Sequence, residues 1–211
     1  MDLFKIRSEI KIVFQPIHDL ESGEILGFEA LARGPGPLRS PNNFFRLASR
    51  ERMLDTVEML CFELAIKESC SLPGQGMIFF NFSPFTVMKH YREIAKNLGS
   101  LKNKAVIELI EYAVHEKSRP GLVSVLGELH QEGLKIALDD VGNGDRDFSD
   151  ICELPADIMK IDRRLIQGLT RCKNGSAPRY QIILNTIVGL AKNCQCSLSR
   201  RELRQKNSMK E

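Results

Sequence analysis

A chain of 211 residues, 43% hydrophobic and 27% charged, is long enough to bury the core of one domain or slightly more. It holds no run of 18 apolar residues, and Met1-Asp-Leu-Phe-Lys-Ile-Arg7 lacks the apolar stretch of a secretory signal, so a cytoplasmic protein with no membrane segment is expected. The net charge of +3 belongs to residues 197–211, which carry five bases and two acids, and the neutral remainder argues against a nucleic-acid partner.

Lys11-Ile-Val-Phe-Gln15-Pro-Ile17 reads as a short strand, Glu21-Ser-Gly-Glu24 as a turn, and Ile25-Leu-Gly-Phe-Glu29-Ala-Leu31 as a second strand, together a hairpin. An acid inside an apolar run is costly to bury unless it is paired or bound to a cation, so Glu29 points to a site rather than to the core. Arg33, at the strand end before Gly34-Pro-Gly36, is either a solvated base or a phosphate contact. Ser40-Pro-Asn-Asn opens a helix, and Thr56 to Glu68 has a wide helical stripe of Val57, Met59, Leu60, Cys61, Phe62, Leu64 and Ile66. Met77-Ile-Phe-Phe-Asn81-Phe is a strand followed by a Ser83-Pro84 helix start, with Asn81 either a turn former or a ligand. Val106-Ile-Glu108-Leu-Ile-Glu111 repeats the pattern with two carboxylates.

Pro120 to Glu132 reads as a helix with Leu122, Val125, Leu126 and Leu129 on one face, closed by Gly133. Ile136-Ala-Leu-Asp139-Asp140 then delivers two adjacent carboxylates into Val-Gly-Asn-Gly144. Adjacent acids repel, so either this is a turn that favours Asp and Gly, or the pair binds cations. In Ile158-Met-Lys160-Ile-Asp162 a lysine sits among apolar neighbours, which requires a carboxylate or phosphate partner. A last helix runs from about Tyr180 to Ala191. Six cysteines without a framework read as free thiols, and Cys194-Gln-Cys196 alone is a weak metal signal.

Five strand-like segments thus carry Glu29, Asn81, Glu108, Asp139/Asp140 and Lys160 at or near their ends. Helical patterns separate the later ones, as in a parallel α/β fold, and in a barrel of that kind the strand ends share one mouth.

Glu29-Ala-Leu31 with Phe14-Gln15-Pro16-Ile17 upstream, Asn81-Phe-Ser83-Pro84, Ile107-Glu108-Leu-Ile-Glu111, Asp139-Asp140-Val-Gly-Asn-Gly144 and Lys160-Ile-Asp162 resemble, in order and spacing, the motifs of the EAL-domain cyclic di-GMP phosphodiesterases. The resemblance covers residues 8 to 193. It implies a modified TIM barrel whose first strand is antiparallel, and hydrolysis of cyclic di-GMP to pGpG. By it, two Mg²⁺ or Mn²⁺ ions would be held by Glu29, Asn81, Glu108, Asp139 and Asp140. Lys160, Glu29 and Asp139 would be catalytic, and Gln15, Arg33 and Asp140 would contact substrate. Glu111 would brace the loop after Asp140, through which the family forms a homodimer.

Two departures bear on these expectations. The loop reads Gly142-Asn-Gly-Asp-Arg-Asp-Phe-Ser149 in place of a Gly-Thr-Gly-Tyr-Ser pattern. After Asn193 the Ala-Glu-Gly-(Val/Ile)-Glu strand and a further Gln-Gly strand are absent. The sequence therefore predicts a truncated domain over 1–193, a barrel lacking about its last two strands, and an aberrant basic tail over 194–211. Read one base earlier, permitted codons for 194–208 give Leu-Pro-Val-Gln-Leu-Ile-Ala-Glu-Gly-Ile-Glu-Thr-Glu-Glu-Phe, so a shifted reading frame is expected there. Inactivity of the chain follows from the lost strands. The alternative is a catalytically silent module that binds cyclic di-GMP or a protein partner.

Overall fold

The computed structural model describes residues 6–72, 76–110, 116–142, 148–171 and 177–201. Asp19 Oδ1 accepts from the backbone N–H and hydroxyl of Ser22, and Gly23 takes φ +75°. These fold β1 (Lys11–Asp19) onto β2 (Ile25–Arg33) as the expected hairpin. Helices and strands then alternate: α1 (Pro41–Arg50), α2 (Leu54–Ser69), β3 (Met77–Phe82), α3 (Pro84–Leu98), β4 (Ala105–Leu109), α4 (Arg119–Gln131), β5 (Lys135–Val141), α5 (Phe148–Glu153), β6 (Ile158–Ile161), α6 (Arg163–Arg171), α7 (Ala177–Asn193) and β7 (Ser197–Arg201). The strands form one closed ring in chain order. β1 is antiparallel to both β2 and β7, and every other pair is parallel. This is the α/β barrel with an antiparallel first strand that the sequence predicts.

Closure differs from the expectation. Residues 197–201, read from sequence as part of a tail, are the seventh strand, so no parallel edge stays open among the described residues. Strand pairing is made by backbone groups and tolerates unusual side chains. Ile158 to Lys160 pair with Ser197 to Ser199 on one side, and Ile17 to Asp19 with Ser199 to Arg201 on the other. Cys196 and Leu198 pack onto the helical layer, while Ser199 is fully buried.

Side-chain alternation of period two separates two cores. Ile78, Phe80 and Phe82 of β3, Ile107 and Leu109 of β4, Ile136 and Leu138 of β5, and Met159 and Ile161 of β6 face the helices. There they meet Phe62, Ile94, Leu98, Leu122, Leu126 and Leu129, and Phe62 packs edge-on against both Phe80 and Phe82. Ile17, Phe79, Val106, Ala137 and Ile158 form a separate apolar cluster in which the strands contribute their other faces. Gly27 lets β2 approach β3 closely, since a Cβ there would lie 2.2 Å from the Met77 carbonyl oxygen. Among the described residues no helix is long and apolar enough to cross a membrane.

Outside the barrel, Asp55 of α2 joins α3. Lys89 Nζ donates to Asp55 Oδ2 at 2.6 Å, and His90 Nε2 lies 3.1 Å from the same oxygen. The Lys89 contact holds the Asp55 carboxyl down at about 2. A depressed carboxylate pKa stabilises the fold above its unfolded value, and that contribution is lost as pH falls towards 2. Lys89→Met is therefore expected to cost about 1 kcal/mol at pH 7, with Lys89 half exposed to solvent. The difference between the variant and the unsubstituted chain should shrink in urea titrations as pH drops from about 4 towards 2. A cost independent of pH would show that lost packing, not the ion pair, is responsible.

Candidate active site

The alternation that sends Phe80, Ile107, Leu138 and Met159 outward turns the intervening residues into the barrel. Asn81, Glu108, Asp139 and Lys160 follow the buried Phe79, Val106, Ala137 and Ile158 by two residues, one turn of the pleat nearer the C-terminal strand ends. Glu29 of β2 is registered against Phe79 and Gln15 of β1 against Glu29. An apolar floor thus underlies a polar layer.

That layer is organised around one ammonium. Lys160 Nζ donates to Glu29 Oε2 at 2.8 Å and to Glu108 Oε1, and lies 3.5 Å from Asp139 Oδ1. Lys160, Glu29 and Glu108 are essentially without solvent exposure. The Phe79 ring centroid is 5.8 Å from Nζ, beneath the charge. Asn81 Nδ2 donates to Glu29 Oε1 at 3.1 Å, so three of the strands expected to supply site residues meet Lys160 of β6 and the fourth joins them through Glu29.

Asp139 and Asp140 both line the same cavity, although neighbours on a regular strand face opposite ways. The pairing of β5 with β6 shifts register between Leu138 and Val141, and Asp140 takes φ +52°, a left-handed conformation uncommon for any residue but glycine. The bulge re-aims Asp140, at a backbone cost of about 1–3 kcal/mol. The cavity, about 850 Å³, is also lined by Gln15, Glu29, Arg33, Asn81 and Lys160. Arg33 Nη1 donates to the Ala32 carbonyl at 2.9 Å. Glu111 and residues 143–147 of the loop after Asp140 lie outside the described residues.

The donor set of four carboxylates and one amide is that preferred by hard divalent cations. Among the described residues no three acidic, His or Cys side chains form a ready-made cage. The carboxylates are instead drawn onto Lys160, which holds the position of a cation. The residues therefore fit a metal centre in chemistry, and Lys160 must release some of its contacts for one to enter.

Sequence reasoning missed four groups at this cavity, Arg46, Arg163, Arg200 and Glu58. Arg200 of β7 lines it beside Arg33, Arg46 and Arg163. Its place was concealed because residues 194–211 read as a tail. Glu58 of α2 also lines it and is buried. Ser83 donates to Glu58 Oε2 from its backbone N–H at 3.0 Å and its hydroxyl at 2.9 Å. Burial pushes the Glu58 carboxyl above its usual range. The signal was legible: Glu58 stands between Val57 and Met59 in an apolar stripe, the same argument that singled out Glu29. The thiols are free among the described residues, as expected, and burial pushes Cys61 up to about 12, which leaves no thiolate nucleophile at the cavity.

The EAL domain family matches residues 3–199. The cyclic di-GMP phosphodiesterase RocR of Pseudomonas aeruginosa is 26% identical over 203 residues, covering 90% of this chain and 50% of RocR. The cyclic di-GMP phosphodiesterase PdeL of Escherichia coli is 28% identical over 176 residues, covering 75% of this chain and 47% of PdeL. This chain thus spans half or less of the length of these relatives. Among solved structures, the EAL-domain protein YkuI of Bacillus subtilis, in complex with substrate c-di-GMP and calcium, superposes with a TM-score of 0.75 at 22% identity, over 93% of this chain and 50% of that one. At that identity the likeness is one of fold. With the motifs in order on a closed α/β barrel and the family matched over nearly its whole length, the chain belongs to the EAL-domain family.

Proposed function

We propose that this chain is a cytoplasmic cyclic di-GMP phosphodiesterase domain that opens one phosphodiester of the dinucleotide to give pGpG. The observation that carries the reading is the convergence of Glu29, Asn81, Glu108, Asp139 and Lys160, from five strands, in one layer at the C-terminal strand ends. The names of RocR and PdeL and the ligands of YkuI support the same substrate.

Glu29, Asn81, Glu108, Asp139 and Asp140 would hold two divalent cations, Mg²⁺ or Mn²⁺. When bound, these supply an acidified water and neutralise the phosphodiester. The chain's own residues do the rest. Lys160 stands on β6 among Glu29, Glu108 and Asp139, and its ammonium would offer N–H donors to the scissile phosphate. Arg33, Arg46, Arg163 and Arg200 line the cavity and match the two negative phosphates of a cyclic dinucleotide, with Gln15 and Asp140 as further substrate contacts. The neutral body of the chain suits such a small anion better than a nucleic acid. A homodimer through the loop after Asp140 belongs to the same reading.

The seventh strand limits the chemistry. Level with Lys160 it brings Ser199, and Ser197–Arg201 contains no carboxylate. A missing acid-base group costs about 10²–10⁴ in rate. With Mn²⁺, pGpG is therefore expected to form at least ~100-fold more slowly than with a complete relative such as RocR, while dinucleotide binding persists. Comparable rates would contradict the assigned deficit. Binding with no turnover at all would favour the alternative, a silent module that holds cyclic di-GMP. Residues 194–208 are in this account the product of a shifted reading frame, and the gene's codons decide it: neither shifted frame yielding Glu-Gly-Ile-Glu or Glu-Gly-Val-Glu would end the idea.

A further inference from the structure

The neutral charge of the chain ahead of its last residues hides a segregation. Met1 to Asp162 carry 19 bases and 25 acids, whereas Arg163 to Asn193, which hold α6 and α7, carry six bases and no acid. The two helices lie against each other: a Cβ on Gly168 of α6 would come within 2.3 Å of the Tyr180 ring of α7, so the ring enters only because glycine stands there. Arg179 is thereby set beside α6, whose exposed bases are Arg163 and Arg164, the latter 3.5 Å from Asp162. A surface of one sign attracts partners of the other.

The outer side of α7 adds a second feature. Tyr180, Leu184, Ile187 and Ala191 pack its inner side onto the barrel, whereas Ile182 is 64% and Ile183 45% exposed. Arg179, Ile182, Ile183 and Thr186 follow at the i, i+3, i+4, i+7 spacing, so a base and both isoleucines share that side. The polar groups between them are satisfied within the helix: Thr186 Oγ1 donates to the Ile182 carbonyl at 2.9 Å and Gln181 Nε2 to Asn185 Oδ1 at 2.9 Å. Neither isoleucine lines the mouth cavity. A nucleic acid or an acidic peptide matches the bases alone. Bases interleaved with protruding aliphatic side chains match a lipid surface, anionic at the headgroups and apolar just beneath.

We propose that the outer side of α7, with the bases of α6, docks on an anionic lipid surface. Ile182 and Ile183 enter the headgroup layer, and Arg179 and Lys192 pair with lipid phosphates. No described helix is long and apolar enough to cross a bilayer, so the contact is peripheral. It gives the domain a location and does not depend on the activity proposed above.

The test is co-sedimentation of the full chain with phosphatidylcholine vesicles, pure or with about a third phosphatidylglycerol. The chain should sediment with the anionic vesicles alone, and salt of about 0.5 M should release it. Replacing both isoleucines (Ile182→Ser with Ile183→Ser) should weaken sedimentation about tenfold or more, and Arg179→Gln about fivefold. Because these side chains are exposed and lie outside the cavity, the melting temperature and binding of cyclic di-GMP should stay as they are. Residues 202–211 carry three further bases that the variants leave in place, so sedimentation that survives the variants would belong to those residues and overturn the proposal. Failure to sediment with anionic vesicles would overturn it too, as would equal sedimentation with neutral ones. A double variant that alters only the oligomeric state in size-exclusion chromatography would assign this side to a second copy of the chain instead.

Discussion

Lys160→Met is expected to lower the melting temperature of the protein in EDTA by roughly 6–20 °C. The ammonium is the shared counter-charge of Glu29, Glu108 and Asp139, all of them buried. Removing one partner of a buried ion pair costs about 3–5 kcal/mol, because the remaining charge keeps its desolvation penalty. For a domain of this size each kcal/mol moves the transition by about 2–4 °C. Methionine fills similar space, so a cavity is not the cause. Added Mn²⁺ or Ca²⁺ should recover much of the loss, since a cation can replace the ammonium among the carboxylates. A variant that melts within about 2 °C of the unsubstituted chain in EDTA would show that the carboxylates do not depend on Lys160.

Ending the chain at Asn193 is expected to abolish cooperative unfolding at 25 °C. Among the described residues β7 alone joins β6 to β1 in the ring, and without it the main-chain groups of both neighbours lose their partners there. Ile17 and Ile158, both buried and both on the flanking strands, become accessible, and Cys196 and Leu198 leave the helical layer. Each fully buried aliphatic side chain contributes about 1.5–3 kcal/mol, and the total stability of a domain is about 5–15 kcal/mol. Circular dichroism melts compare the two chains directly. A cooperative transition within a few degrees of the full chain would mean that residues 194–201 decorate a barrel that is stable without them.

This second case marks where the sequence was hardest to read. Cys196-Ser-Leu198-Ser alternates with the period of a strand, but the bases that follow it and the missing acidic motif made the segment look like a tail. Side-chain character governs a sequence reading, whereas the barrel uses the segment's backbone. The strands β3 to β6 were legible for the opposite reason. Each places apolar residues on both faces and reserves one polar group for the mouth, or two in β5, so Asn81, Glu108, Asp139 and Lys160 stood out against Phe79, Val106, Ala137 and Ile158. Two features needed three dimensions. The bulge that turns Asp140 to the same cavity as Asp139 depends on a register shift against β6. The gathering of three carboxylates on one lysine depends on strands up to 131 residues apart in sequence. Glu58 was legible in principle, since an acid between Val57 and Met59 is as anomalous as Glu29, but helical periodicity with a wide stripe accommodates one acid more readily than a strand does.

The most direct measurement is calorimetric titration of the full chain with cyclic di-GMP in Ca²⁺, repeated in EDTA and with Glu29→Gln. The polar layer at the barrel mouth, if it is a divalent-cation site for a phosphodiester, binds the dinucleotide in Ca²⁺, releases it in EDTA, and loses at least about tenfold in affinity with Glu29→Gln. Binding that is unchanged in EDTA, or tighter binding to single-stranded RNA than to cyclic di-GMP, would contradict that assignment.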